Sequence, residues 1–204
     1  MTRKISGTIL AGGAGKRFNG QVKPKIVVDG KTIISRILSA TTDLFDEIII
    51  VTNNPEEFSD LSFCRIVPDV IPGAGPLGGI HAGMKASSND AVFVFAGDMP
   101  FLDPEIITRL IETYGVSDCD VLIPEIGDLI EPLHSIYDVS LAENLEAYLR
   151  GKRSRAVRDF IKTLKVQYLP FDGSEKNKRA FTNVNSPADI SPAQGSPERR
   201  IPRL

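Results

Sequence analysis

The sequence predicts an α/β protein of the doubly wound, Rossmann-like class, in which helices cover both faces of a mostly parallel, twisted sheet. Short apolar runs typical of strands alternate with longer segments whose apolar residues recur at helical spacing. Residues 47–52 and 90–96 are almost continuously apolar, which is typical of strands buried on both faces. The first strand also breaks into a glycine-rich turn, a common ligand-binding connection in this class.

The predicted elements alternate from the first strand, an apolar run that begins at Ile5. Residues 26–28 form a short extended piece that Asp29-Gly30 turns into the first helix. The further strands are predicted at residues 47–52, 64–67, 90–96, 119–124, 131–137 and 166–169. The helices are predicted at residues 32–44, 78–86, 103–114 and 139–149. Asp103 is the expected N-cap of the third helix, and Pro104 its first residue.

Residues 1–190 are expected to form a single nucleotide-handling domain, and the proline-rich residues 191–204, which have no apolar periodicity, a disordered tail. The formal net charge of −2 argues against nucleic acid as the main partner. Cys64 and Cys119 stand in strand-like segments and are expected to be buried, reduced thiols. No signal peptide or membrane-spanning run is recognised, so a cytoplasmic location is expected.

The turn after the first strand is a candidate phosphate site, because glycine amides can point at an anion while nearby cations neutralise it. It differs from a Walker loop, which would need Gly five positions before Gly15, where Leu10 stands, and Ser or Thr in place of Arg17. Phe18 occupies the place of the third glycine of a dinucleotide fingerprint. A tight turn with solvated lysines is the structural alternative. The residues concerned are Gly12, Gly13, Gly15, Lys16, Arg17, Lys23 and Lys25.

Two further strand ends carry polar residues. Asn53 follows the second predicted strand, and Asp98 follows the apolar strand at residues 90–96. A carboxylate there is costly to bury unless it is paired or metal-bound, and Asp103 already supplies the helix cap. We therefore favour a magnesium ligand over a turn-forming role for Asp98. The proline- and glycine-rich residues 68–79 predict a long functional loop.

Five motifs stand in order across residues 5 to 190. They are Leu10-Ala11-Gly12-Gly13 with Arg17 and Lys23, Gly75-Pro76-Leu77-Gly78-Gly79, Gly97-Asp98-Met99-Pro100, Glu131-Pro132-Leu133 with Tyr137, and Asn183-Val184-Asn185-Ser186-Pro187 with Asp189. Taken together, these motifs resemble the molybdenum cofactor guanylyltransferase family of the MobA type. The first three motifs are shared more widely among nucleotidyltransferases with a GT-A-like fold, whereas the last is narrower.

The resemblance implies a magnesium-dependent enzyme that transfers GMP from GTP to the terminal phosphate of molybdopterin and releases pyrophosphate. It implies catalytic roles for Arg17, Lys23 and Asp98, with Asp98 on Mg²⁺. Lys25 is the second choice for the lysine, because Lys23 has the family's separation from Gly30. Residues implied around the nucleotide are Leu10, Ala11, Gly12, Gly13, Lys23, Asn53, Asp69, Gly75, Pro76, Leu77, Gly78 and Asp98. Residues implied on the side of the pterin are Glu131, Asn183 and Asn185.

Several alternatives remain open at this stage. Val22 and Gly97 depart from the Asp and Cys common in the family, which leaves room for a sugar, polyol or other small phosphate as acceptor, with GTP or CTP as donor. The non-enzymatic alternative is a nucleotide-binding module that delivers cofactor without catalysis. Glu131 is expected either to line the acceptor side or to pair with the basic residues 152–158. The basic run at residues 150–155 is expected either to contact an anion or a partner protein or to be solvated. Transient contacts with molybdoenzymes or cofactor-insertion proteins would fit the implied function. His81 and His134 are expected to be structural.

Overall fold

The computed structural model describes residues 3–12, 22–151, 154–185 and 189 of the chain. The strands in these ranges are β1 (Ile5–Leu10), β2 (Val27–Val28), β3 (Lys31–Thr32), β4 (Ile48–Val51), β5 (Arg65–Val67), β6 (Ala91–Ala96), β7 (Val121–Ile126), β8 (Leu129–Ile130), β9 (His134–Asp138) and β10 (Val166–Phe171). The α-helices are α1 (Ile33–Thr41), α2 (Pro76–Ala86), α3 (Pro104–Gly115), α4 (Ala142–Arg150), α5 (Val157–Ile161) and α6 (Glu175–Ala180). Short 3₁₀ turns cover Lys23–Lys25, Pro55–Phe58 and Val139–Leu141.

The central sheet follows the strand order β10-β7-β9-β6-β1-β4-β5, with β8 paired to β7. Parallel pairs join β1 to both β4 and β6, β4 to β5, and β7 to β10. β9 runs antiparallel to β6 and β7. The sheet is therefore mostly parallel, as the sequence predicts, with β9 reversed in its middle and the short β8 reversed beside β7.

Hydrophobic side chains cover both faces of the sheet. On one face Phe93 and Phe95 of β6 belong to the same buried cluster as Ile37 of α1 and Leu110 of α3. On the other face Val92 and Val94 share a cluster with Leu77 of α2 and Leu145 of α4. Every residue of β4 and of β6 is buried, which explains why these two strands are apolar without alternation.

The structure corrects several predicted boundaries. α2 begins at Pro76, two residues before the predicted start, because Gly75 adopts a positive φ of 63° and Pro76 fits the first helical turn. α1 ends at Thr41 instead of residue 44, and β9 begins at His134, after a turn at residues 131–133. Cys64 and Cys119 are buried and free as predicted, but they precede β5 and β7 instead of lying within them.

Two short elements, β3 and α6, were not predicted because they carry little periodicity, whereas β2 lies within the extended piece predicted at residues 26–28. β2 and β3 form a hairpin whose turn uses Asp29 and Gly30 at φ values of 46° and 78°, a geometry that suits an Asp-Gly pair. α6 is short and mostly charged, so it has no apolar stripe to reveal it.

No helix in the described ranges has the length and apolar character needed to cross a bilayer. The tail predicted at residues 191–204 lies outside the described residues.

Candidate active site

A cleft of about 470 Å³ opens at the carboxyl ends of the parallel strands. Its walls come from the residues that follow β1, β4, β5 and β6, as expected for a ligand site in this class of sheet. The lining residues predicted from the sequence are Leu10, Gly12, Lys23, Asn53, Asp69, Gly75, Pro76 and Asp98. Gly79, Gly97 and Leu133, which belong to the recognised motifs, also line the cleft, and Val51, Gly73 and Ala96 complete the lining without having been singled out.

Lys23, Asp98 and Asn185 meet at this cleft. The Lys23 ammonium donates to Asp98 Oδ2 at 2.9 Å and to Asn185 Oδ1 at 3.0 Å. The backbone N–H of Val184 donates to the carbonyl of Asp98 at 2.8 Å, which fastens the segment that carries Asn185 beside the end of β6. About a third of the Lys23 side chain and a fifth of the Asp98 side chain remain exposed, at 30% and 20%. The pair is therefore accessible to a ligand.

Gly97 allows this close approach. A methyl group at Gly97 would lie 2.6 Å from the Leu10 carbonyl oxygen and 2.9 Å from Cγ of Pro24. Pro24 is buried within the 3₁₀ turn that presents Lys23. The Gly97 N–H also donates to the Leu10 carbonyl at 3.1 Å, so the ends of β1 and β6 are joined directly. Glycine at this position lets the lysine turn pack against the strand end that holds Asp98.

Lys25 does not reach the cleft. Its ammonium lies 3.2 Å from Asp60 Oδ1 and 5.3 Å from the centroid of the Phe58 ring. Lys23 and Lys25 are two positions apart in a turn, and their side chains point to different surroundings.

Another part of the cleft lining, after β4 and β5, has its own polar pair. Asn53, after β4, donates through Nδ2 to Asp69 Oδ2 at 3.0 Å, and the Asp69 N–H donates back to Asn53 Oδ1 at 3.1 Å. Arg155 donates to the carbonyl of Gly73, in the loop between Asp69 and α2. These contacts fix this part of the cleft wall.

Four predicted nucleotide residues lie away from the cleft surface or outside the described chain. Leu77 is fully buried between α2 and the sheet, and Gly78 packs against Ala74 and the carbonyl of Ile71. Ala11 is buried, and its N–H donates to the Val51 carbonyl at 2.9 Å. Gly13, like the predicted catalytic Arg17, lies outside the described residues.

The predicted acceptor side comprises Asn183, Asn185 and Glu131. Asn183 Oδ1 is buried and accepts no hydrogen bond from the described part of the chain. A buried oxygen without a donor is costly, so a ligand N–H or O–H would stabilise it. Glu131 lies in the turn before β9, where its carbonyl accepts from Ser135 Oγ at 2.7 Å. Both predicted roles of Glu131 stay predictions.

Both histidines are buried away from the cleft lining. His134 packs edge-on against Phe93, Phe95 and Phe181, and burial lowers its pKa to about 3. His81 is fully buried with Nε2 3.4 Å from a carboxylate oxygen of Glu146, and burial is again the main cause that lowers its pKa. Neither histidine is placed to exchange protons with a ligand in the cleft. The described residues also contain no group of three or more His, Cys, Asp or Glu side chains that could hold a metal.

A comparison with known protein families identifies the family of this chain. A family model described as the MobA-like NTP transferase domain matches residues 7–167. The chain belongs to the MobA-like NTP transferase family. The matched span includes Lys23 and Asp98 but ends before Asn183 and Asn185.

Relatives of this MobA-like transferase extend the match along nearly the whole chain. A probable molybdenum cofactor guanylyltransferase of Natranaerobius thermophilus is 32% identical over 200 residues, which cover 95% of this chain and 97% of the relative. Another, from Peptoclostridium acidaminophilum, is 37% identical over 182 residues, 87% of this chain and 79% of the relative. The crystal structure of molybdopterin-guanine dinucleotide biosynthesis protein A from Archaeoglobus fulgidus superposes with a TM-score of 0.77 at 28% identity, covering 91% of this chain and 94% of that one.

Proposed function

We propose that this MobA-like NTP transferase transfers GMP from GTP to the terminal phosphate of molybdopterin and releases pyrophosphate. The observation that carries the proposal is the contact of Lys23 with both Asp98 and Asn185, at 2.9 and 3.0 Å. It joins a residue of the nucleotide side to a residue of the predicted acceptor side at one point. The names of the relatives that match the chain over most of its length support the choice of nucleotide and acceptor.

The proposed reaction needs no proton-transfer residue. An oxygen of the acceptor phosphate attacks the α-phosphorus of GTP, a new P–O bond forms, and the bond from the α-phosphorus to the bridging oxygen breaks. The electron pair leaves with pyrophosphate. Because a phosphate monoester is already anionic near neutral pH, the protein's task is to position two anions and stabilise the charge that develops between them.

Lys23 is suited to that task. Its ammonium can donate three hydrogen bonds, and two of them go to Asp98 and Asn185. The buried Pro24 and the close approach at Gly97 hold the turn that carries it. We propose that Lys23 donates to the phosphate oxygens at the reacting centre, so that the two anionic substrates can approach each other. Arg17 remains proposed for the triphosphate.

Asp98 fits a magnesium ion. Its carboxylate supplies hard oxygen donors at the cleft surface, and Mg²⁺ is commonly bound by one or two carboxylates together with substrate phosphates. A carboxylate cluster is not required for such a site. When bound, the ion would neutralise charge on the triphosphate and on the departing pyrophosphate. We propose Asp98 as its protein ligand.

The experiment for this proposal mixes the protein with GTP, Mg²⁺ and molybdopterin and measures pyrophosphate. Release should require all three. CTP should support far slower release, since the proposal assigns guanine to the cleft between the Asn53–Asp69 pair and Gly75. Turnover with CTP and not with GTP would overturn the guanine assignment, and GTP binding without pyrophosphate release would overturn catalysis.

The product must also leave the enzyme. We propose a cytoplasmic location and transient contacts with molybdoenzymes or cofactor-insertion proteins that receive the guanine dinucleotide. The relatives' names support the substrates, and a second concavity, separate from the cleft, offers a place for such a contact.

A further inference from the structure

A second concavity, larger than the cleft, lies on the far side of the segment that follows Asp98. This Phe101 groove has a volume of about 990 Å³ and is formed by three segments, residues 31–40, residues 100–105 and α6. It shares no lining residue with the cleft. Phe101 and Leu102 on its floor are partly buried and pack against the main hydrophobic core. The floor is thus apolar and fixed.

Two arginines flank the Phe101 ring. The guanidinium carbon of Arg179 lies 4.5 Å from the ring centroid, and that of Arg36 lies 5.8 Å from it. Both distances are within the range of a cation–π contact. Arg36 is partly engaged by Asp29, whose Oδ2 lies 3.4 Å from its Nη2. Two cations therefore gather around one aromatic side chain.

Each carboxylate of the groove already has a cationic partner. Lys176 binds Asp103 and Glu105, at 3.1 and 2.6 Å. Glu175 pairs with Lys178 at 2.9 Å. In contrast, neither Lys31 nor Arg179 makes an ion pair with any carboxylate of the described residues. The groove lining holds four cations, Lys31, Arg36, Lys176 and Arg179, and three carboxylates, Asp103, Glu105 and Glu175, so one positive charge is in excess around its apolar floor.

We infer that the Phe101 groove docks a peptide segment of a partner protein in which an apolar side chain is flanked by carboxylates. The apolar side chain would cover Phe101 and Leu102, and the carboxylates would pair with Arg36, Arg179 and Lys31. Arginine and aromatic residues are enriched in such protein interfaces, and arginine clusters are a recurring way of binding acidic motifs. The alternation of cations with carboxylates suits a peptide better than the uniformly anionic backbone of a nucleic acid.

The position of the groove gives this contact a purpose. Phe101 follows Asp98 by three positions, and Arg179 precedes Asn183 by four. The two backbone segments run beside each other, since Arg179 contacts Phe101 and the Val184 N–H bonds to the carbonyl of Asp98. A partner docked here would lie next to the acceptor side. Its purpose, receiving the product or supplying the acceptor, rests on the proposed function, whereas the docking itself does not.

Docking is tested by fluorescence anisotropy with the full chain and no nucleotide. The probe is a fluorescein-labelled peptide Glu-Asp-Leu-Phe-Asp-Glu, and its matched control is the amide peptide Gln-Asn-Leu-Phe-Asn-Gln. We expect the acidic peptide to bind at least about tenfold more tightly than the amide peptide. Arg36→Glu combined with Arg179→Glu should weaken binding about tenfold or more, because both attractions become repulsions. Arg158→Glu, an exposed arginine on α5, should leave binding unchanged.

Four results would overturn the inference. They are absence of binding, equal binding of the amide peptide, equal weakening by Arg158→Glu, and displacement of the peptide by inorganic phosphate or by GTP. The first three results would show that the groove does not select an acidic peptide. The last result would show that the peptide binds at a site for small anions or in the cleft. Pyrophosphate release with free molybdopterin should be the same in the double arginine variant and the wild type. A protein that binds the peptide but releases no pyrophosphate would contradict the proposed function alone.

Discussion

The Nζ atom of Lys23 lies 2.9 Å from Oδ2 of Asp98, although the two residues are 75 positions apart in the chain. One stands on a 3₁₀ turn after the glycine-rich segment and the other follows β6, a strand whose every residue is buried. The contact therefore places a cation and a carboxylate that could bind a metal within a few ångströms of each other in the cleft.

Asp98→Asn should reduce pyrophosphate release by about a hundredfold or more, because it removes the charge that a divalent cation needs. Stability should fall by less than about 1 kcal/mol, since the ion pair with Lys23 is partly exposed. Asp60→Asn is the matched control: it removes the carboxylate beside Lys25, which lies outside the cleft lining. Near wild-type turnover in Asp98→Asn would show that Asp98 is not the metal ligand.

Lys23→Ala should slow turnover far more than Lys25→Ala. The first change removes the ammonium between Asp98 and Asn185, whereas the second removes a contact with Asp60 and Phe58. We expect a loss of about a hundredfold for Lys23→Ala, comparable to removal of one donor at a reacting centre. The rates of pyrophosphate release of the two variants decide the matter, and the opposite order would contradict the assignment of Lys23.

Gly97→Ala should destabilise the protein by about 1–3 kcal/mol, the usual cost of overpacking. The added methyl group would meet the Leu10 carbonyl at 2.6 Å and Pro24 at 2.9 Å, so the turn that presents Lys23 must shift and turnover should fall as well. Urea unfolding and pyrophosphate release measure the two effects. Gly115→Ala is the control, because its methyl group would meet nothing within 4 Å. Equal stability of the two variants would contradict the close approach at Gly97.

His134 should make the protein sensitive to mild acid. Burial lowers its folded-state pKa from 6.5 to about 3, so between these values the unfolded chain binds a proton that the folded protein does not. Stability should therefore fall as the pH falls through this window, by at most about 1.4 kcal/mol per pH unit from this group. In His134→Leu the slope of the unfolding free energy against pH should be shallower by up to that amount. Parallel curves for the two proteins would show that His134 does not titrate in this way.

The predictable part of the molecule is the part that local pattern determines. Residues 48–51 and 91–96 are buried on both faces and had to be apolar, so their strands are visible in the sequence. The carboxyl ends of parallel strands share one edge of a sheet, and this places Asn53 and Asp98 at a common cleft before any distance is known. The cap of α3 at Asp103 is equally local, since its carboxylate accepts from the Glu105 N–H.

The rest depends on packing between distant segments. Residue type and local pattern do not tell which ammonium, Lys23 or Lys25, reaches Asp98, because a 3₁₀ turn directs neighbouring side chains in different directions. The choice of Lys23 comes from the family resemblance alone. The reciprocal bonds of Asn53 and Asp69 require the register of β4 against β5. The contact of Arg179 with Phe101 depends on α6, whose charged sequence gives no periodic signal.

The measurement that tests the central claim most directly follows the phosphorus atoms of GTP. The protein is incubated with Mg²⁺, molybdopterin and GTP labelled at either the α- or the γ-phosphate, and the products are separated. Attack at the α-phosphorus predicts that the α-label appears in the acceptor product and the γ-label in an equal amount of pyrophosphate. Appearance of the γ-label on the acceptor, with GDP as the second product, would contradict it.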